Sequence, residues 1–127
     1  MKLLLDTHAF LWFEAGDRRL GARARTAIEA ENAVLLISAA SVWEMAIKAS
    51  MGRLSLPVSV ASYMAEKARA GYRLLPVTWA DASAVESLPF HHRDPFDRLL
   101  AAQAQIHGCP LVSRDRQFRK YGVEVIW

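Results

Sequence analysis

Short apolar runs alternate along this chain with longer stretches in which apolar residues recur every three or four positions. Residues 3–5 (Leu-Leu-Leu) and 34–37 (Val-Leu-Leu-Ile) are continuous apolar runs, the pattern of strands buried on both faces of a parallel sheet. Between them, 8–14 predicts a short helix ended by Ala15-Gly16-Asp17, and 21–31 a helix with Ala24, Ala27 and Ile28 on its inner face. A third helix is expected over 41–51, with Val42, Met45 and Ala46 in helical spacing and Gly52 as its stop. A fourth spans 60–70, ended by Gly71. Residues 73–77 predict a strand whose Pro76 assigns it to an edge or a strand end. Helices follow at 80–88 and 95–107, the second with proline at its first position and Gly108 as its stop. Strands at 110–112 and 123–126, joined by a helical turn at 117–121, close the chain. Strand–helix alternation of this kind predicts an α/β fold with a mainly parallel central sheet and helices on both faces.

Composition narrows the class. The 127 residues suffice for one domain, 1–127, and 53% apolar with 23% charged residues is ordinary for a soluble globular chain. No segment approaches the roughly 20 apolar residues of a membrane span; the longest candidate, 33–47, is broken by Ser38, Ser41 and Glu44. One Lys before Leu3 and Asp6 directly after Leu5 read as a strand, not a signal peptide. The single cysteine, Cys109, excludes an internal disulfide framework and fits a cytoplasmic location.

Candidate chemistry comes from acids placed at strand ends. Asp6 follows the first run, Glu44 lies past the second, Asp97 is in the segment 91–97 (His-His-Arg-Asp-Pro-Phe-Asp), and Asp115 follows Leu111-Val-Ser-Arg. Ligands of open α/β sheets bind outside the carboxyl ends of the strands, so acids delivered there from remote parts of a chain meet. Such a cluster repels itself unless a cation neutralises it, which points to a hard-cation site. A net charge of +3, with Arg93, Arg98, Arg114, Arg116, Arg119 and Lys120 near two of the acids, points to a polyanion partner. Each acid also has a structural explanation. Asp6 and Asp115 suit helix N-caps, Ser41 with Glu44 and Asp94 with Asp97 have the layout of capping boxes, and Glu44 with Lys48 suits an i,i+4 pair.

The motifs Leu-Leu-Leu-Asp-Thr-His at 3–8, Ser-Ala-Ala-Ser-Val-Trp-Glu-Met at 38–45, Asp-Pro-Phe-Asp-Arg-Leu-Leu-Ala-Ala-Gln-Ala at 94–104 and Leu-Val-Ser-Arg-Asp at 111–115 resemble those of the PIN-domain nucleases, from Leu3 to Ile126. The third is the most specific match, and the compact length looks most like the VapC-type toxins of toxin–antitoxin pairs. The resemblance implies a three-layer α/β/α fold and a Mg²⁺- or Mn²⁺-dependent endoribonuclease. Its catalytic and metal residues would be Asp6, Glu44, Asp97 and Asp115; Asp94, in the same motif as Asp97, suits the cap, and the fourth acid is the one most variable in the family. It also implies an RNA substrate, with tRNA or ribosomal RNA common targets, and an antitoxin protein as inhibitor.

Around that core, Arg98, Arg114 and Arg116 are expected phosphate contacts by position. Thr7 and Ser113 are expected either to orient a ligand or to bond local backbone. His91 and His92 are expected to touch substrate or be exposed, because no further His or Cys is spaced to close a zinc site with them. Phe10, Trp12, Phe13, Trp43, Tyr63 and Met64 are more large apolar residues than a small core easily absorbs, which predicts a homodimer interface. Two rival functions remain: a catalytically idle binding module, and a phosphatase-like hydrolase using Asp6, although His8 stands where that chemistry wants a second Asp.

Overall fold

A computed structural model describes residues 1–127. Its five strands are β1 (Lys2–Leu5), β2 (Val34–Ser38), β3 (Arg73–Leu75), β4 (Leu111–Val112) and β5 (Val125–Ile126). They pair in the order β3-β2-β1-β4-β5, and every pairing is parallel. Six α-helices join them: α1 (Thr7–Ala15), α2 (Ala22–Glu29), α3 (Ala39–Ser50), α4 (Val60–Arg69), α5 (Trp79–Ala84) and α6 (Pro95–His107). Single 3-10 helices follow at Val85–Ser87 and Arg116–Tyr121.

Alternation along the central strands divides the core into two layers. Leu3, Leu5, Ile37 and Val112 pack with Ala9, Phe10, Ala24, Met45 and Met64 from α1 to α4. Leu4, Leu36 and Leu111 point the other way, onto Leu100, Ala101 and Ala104 of α6 and onto Phe118. Removing each such leucine from water stabilises the fold by about 1.5–3 kcal/mol, so β1, buried on both faces, anchors the sheet. The result is the three-layer α/β/α architecture.

Several elements depart from the expected boundaries. Helix α3 starts at Ala39, because Ser38 Oγ caps it by accepting the Ala40 N–H at 3.0 Å. The helical phase that follows buries Ala40, Ser41 and Met45 and leaves Ala46 exposed. The expected helix at 80–88 is split into α5 and a 3-10 turn; a Thr78–Asp81 capping box starts it at Trp79. Strand β3 ends at Leu75, before Pro76. The apolar surplus assigned to an interface is largely absorbed: Phe10 and Met64 are buried and Trp12, Phe13 and Tyr63 half-buried, leaving Trp43 at 62% exposure.

The topology fixes where a site can form. From β1 the chain runs outward through β2 to β3, then returns to the far side of β1 for β4 and β5. The order reverses between β1 and β4, and the crevice beyond their carboxyl ends is the place where open sheets of this kind receive ligands. Asp6 directly follows β1 there, and Ser113 directly follows β4.

Candidate metal centre

Each of the four expected acids reaches that crevice from a different element. Asp6 caps α1, its Oδ1 accepting the Ala9 N–H at 2.8 Å, and the Ser113 hydroxyl lines the same cavity. Burial raises the Asp6 pKa above its ordinary value; Ser113, the Ala9 N–H and His8 pull it back, and the Glu44 charge adds to the rise. Glu44 comes from the middle of α3. Because Ser38 is the cap, Glu44 is not the far half of a capping box with Ser41, whose buried hydroxyl has no partner. Thr7 Oγ1 donates to Glu44 Oε1 at 2.5 Å, and Lys48 Nζ pairs with Oε2 at 3.1 Å.

Asp97 enters from the first turn of α6. Asp94 does the capping there, accepting the N–H groups of Phe96 and Asp97 at 2.8 and 3.2 Å. The Asp97 pKa is pushed up to about 6, chiefly by burial and then by the neighbouring Asp94 charge; His92 opposes the rise, and Asp115 and Glu44 add to it. Asp115 caps the second 3-10 turn, its Oδ1 accepting the Gln117 N–H at 2.9 Å, while its Oδ2 lies 2.6 Å from His92 Nε2. One oxygen each of Asp97 and Asp115 and a ring nitrogen of His92 lie within 4.8 Å of one another. Asp6, Glu44, Asp97 and Asp115 line one cavity of about 410 Å³, with Lys48 and Arg114 also on its wall. Capping and convergence thus coexist at Asp6 and Asp115, whereas Asp97 has no capping duty.

The donor set fits a hard divalent cation. Its atoms are carboxylate oxygens, two of the carboxyls are held above their ordinary pKa, and mutual repulsion contributes to both shifts. A divalent cation would relieve that repulsion, and oxygen-only ligation suits Mg²⁺ or Mn²⁺.

Other expected residues are redistributed. Arg98 is not a phosphate contact: it is 6% exposed, and its guanidinium donates to the carbonyls of Val85, Leu88 and Pro89 at 3.0, 3.2 and 3.0 Å, beneath the Phe90 ring. A planar fork with five donors is the side chain best able to gather the carbonyls of an irregular turn. Arg116 lies outside the acidic cavity, on a separate groove with Arg23 and Arg119. Arg114 is exposed and does line the cavity. Thr7 and Ser113 are buried; Thr7 holds the Glu44 carboxylate, and Ser113 Oγ accepts the Asp115 N–H at 3.1 Å.

His92 is neither exposed nor free for substrate; it is buried against Asp115. Lys48 was expected only as a surface partner of Glu44, yet it faces the cavity as well. Its position four residues after Glu44 on one helix is the signal that places it there.

The PIN domain family model matches residues 3–124. Ribonuclease VapC22 from Mycobacterium tuberculosis is 35% identical over 120 residues, covering 94% of this chain and 91% of the relative. Among solved structures, VapBC2 from Rickettsia felis bound to a DNA fragment of its promoter aligns with a TM-score of 0.71 at 14% identity, covering 98% of this chain and 97% of the other. A toxin–antitoxin complex from Klebsiella pneumoniae aligns with a TM-score of 0.62 at 19% identity, over 91% of this chain and 89% of the other.

Proposed function

The chain belongs to the PIN domain family, and on that premise we propose that it is a divalent-metal-dependent endoribonuclease acting as the toxin of a toxin–antitoxin pair. The observation that carries this reading is the convergence of Asp6, Glu44, Asp97 and Asp115 on one cavity at the sheet's reversal point. The identity to a ribonuclease supports RNA as the substrate class.

Asp6, Asp97 and Asp115 would hold Mg²⁺ or Mn²⁺, with Glu44 as the fourth carboxylate. When bound, the cation supplies Lewis acidity toward the phosphate and a nucleophilic water at neutral pH. The chain supplies position and charge. Thr7 aims Glu44, and Ser113 holds the Asp115 backbone. These hydroxyls are committed to carboxylates and backbone, so neither is offered as a covalent nucleophile. Lys48 and Arg114 place positive charge at the cavity wall, where a phosphodiester would lie. A module whose acids only capped helices would have no use for Asp97, since Asp94 already caps α6.

The proposed inhibitor is an antitoxin segment that places a basic side chain among the carboxylates, as a guanidinium forks onto such oxygens. Of the two structures named above, the Klebsiella pneumoniae one is described as a toxin–antitoxin complex. No helix is long and apolar enough to cross a membrane, and Cys109 is buried. A homodimer is proposed on the resemblance and on the exposed Trp43, packed edge-on to Phe96. Light scattering at micromolar concentration tests it; a monomer there refutes it. The activity is tested by incubating the purified chain with transfer and ribosomal RNA. Internal cleavage is expected with Mg²⁺ or Mn²⁺ and none with chelator; no cleavage under any metal overturns the proposal.

A further inference from the structure

We propose that His92 is a positioning residue that clamps Asp115 in place for cation binding, an inference that rests on the metal-centre reading above. The imidazole is 8% exposed and packs against two rings that also touch each other, with centroids 4.6 Å from Phe118 and 5.5 Å from Tyr121. Both of its nitrogens are engaged. Nε2 lies 2.6 Å from Asp115 Oδ2, and Nδ1 lies 2.9 Å from the Tyr121 hydroxyl. A carboxylate only accepts, so Nε2 carries the proton toward Asp115; Nδ1 then accepts from the Tyr121 O–H. The relay ends on a fixed support, because the Tyr121 carbonyl accepts from Gln105 Nε2 of α6 at 2.7 Å.

Asp115 needs such a support. It follows a two-residue strand, its side chain is 40% exposed, and its remaining contact is the cap to Gln117 through Oδ1. Its Oδ2 partner is in the same tight group as the Asp97 carboxylate, whose like charge pushes Asp115 outward. A short charge-assisted hydrogen bond from a buried ring opposes that push and fixes the side chain before any cation arrives. The bond also assigns the nitrogen: with Nε2 donating to Asp115, His92 acts through that carboxylate and is not itself a ligand. Partners of this kind behind metal ligands are worth about ten- to a hundredfold in metal affinity.

The test measures binding of Mn²⁺ alone by isothermal titration calorimetry, alongside the thermal midpoint of the metal-free protein. His92→Phe keeps the ring stack and removes both nitrogens; His92→Gln restores an N–H donor; Tyr121→Phe removes the outer anchor. The expected result is a Mn²⁺ affinity about tenfold or more weaker in His92→Phe, largely recovered in His92→Gln and several-fold weaker in Tyr121→Phe, with midpoints close to wild type. Wild-type affinity in folded His92→Phe, or a His92→Gln no better than it, overturns the clamp. Should His92→Phe not fold, unchanged affinity in Tyr121→Phe overturns it instead. The two readings separate cleanly. Mn²⁺ binding that Asp97→Asn abolishes and His92→Phe leaves intact refutes only the clamp; a wild-type protein that binds no Mn²⁺ refutes the metal centre, and the clamp falls with it.

Discussion

Thr7 and Glu44, 37 residues apart in the chain, meet through a 2.5 Å hydrogen bond in which the Thr7 hydroxyl donates to Glu44 Oε1. Thr7 is the first residue of α1, directly after Asp6, so the loop that delivers one acid of the cavity also aims another. Lys48 holds the second Glu44 oxygen, and the carboxylate is fixed from two sides. Thr7→Val keeps the shape and removes the donor, and it is expected to lower metal-dependent RNA cleavage about tenfold, as losing a partner behind a ligand does. Thr7→Ser is expected to retain most activity. Equal activity in the valine variant would reduce the contact to packing.

Asp97 makes metal-free stability depend on pH. Its folded-state pKa is about 6 against 3.8 for the free side chain. Between those values the native protein keeps a proton that the unfolded chain has released, so this group's contribution falls as pH rises through the window. Acids with lowered pKa values, such as Asp81, act in the opposite sense, so the difference between wild type and Asp97→Asn isolates the effect. In thermal melts with chelator, Asp97→Asn is expected to match wild type near pH 4 and to exceed it by a few degrees above pH 6, roughly 1 kcal/mol after allowing for solvent screening. A variant that melts lower at neutral pH would assign Asp97 a structural duty instead.

Arg98 and Arg114 are expected to separate stability from substrate binding. Arg98→Ala strands three carbonyls at the entrance to α6 and is expected to cost about 3 kcal/mol in denaturant unfolding, with Arg98→Lys a poor rescue. Arg114→Ala, at the exposed cavity wall, is expected to leave stability unchanged and raise KM for RNA several-fold, more at low salt. Unchanged stability and a raised KM in Arg98→Ala would return Arg98 to the substrate.

The legible parts of this molecule were those set by local chemistry. The run of three leucines marked β1, and proline at the first position with Gly108 at the stop fixed both ends of α6. Asp6 and Asp115, just past the ends of β1 and β4, marked the cavity because parallel topology brings those ends together, whereas Glu44 and Asp97 reach it from within helices α3 and α6. What local pattern did not carry were contacts between distant residues. His92 finds its partners 23 and 29 residues onward, in a turn whose packing no periodicity encodes. Arg98 lies between Asp97 and Leu99, where a surface charge is the default, and only the fold of 85–89 turns it inward. The phase of α3 followed from Ser38, three residues before the expected cap, and the packing of α1 against α4 absorbed the apolar surplus except for Trp43.

The central claim is that these carboxylates form the seat of a divalent cation. Anomalous scattering from crystals grown with Mn²⁺ tests it most directly. The account predicts one or two manganese peaks in the cavity, within about 2.3 Å of carboxylate oxygens of Asp6, Asp97 or Asp115, and their loss in Asp97→Asn. Manganese bound elsewhere, or an empty cavity in a protein that cleaves RNA in Mn²⁺, would contradict it.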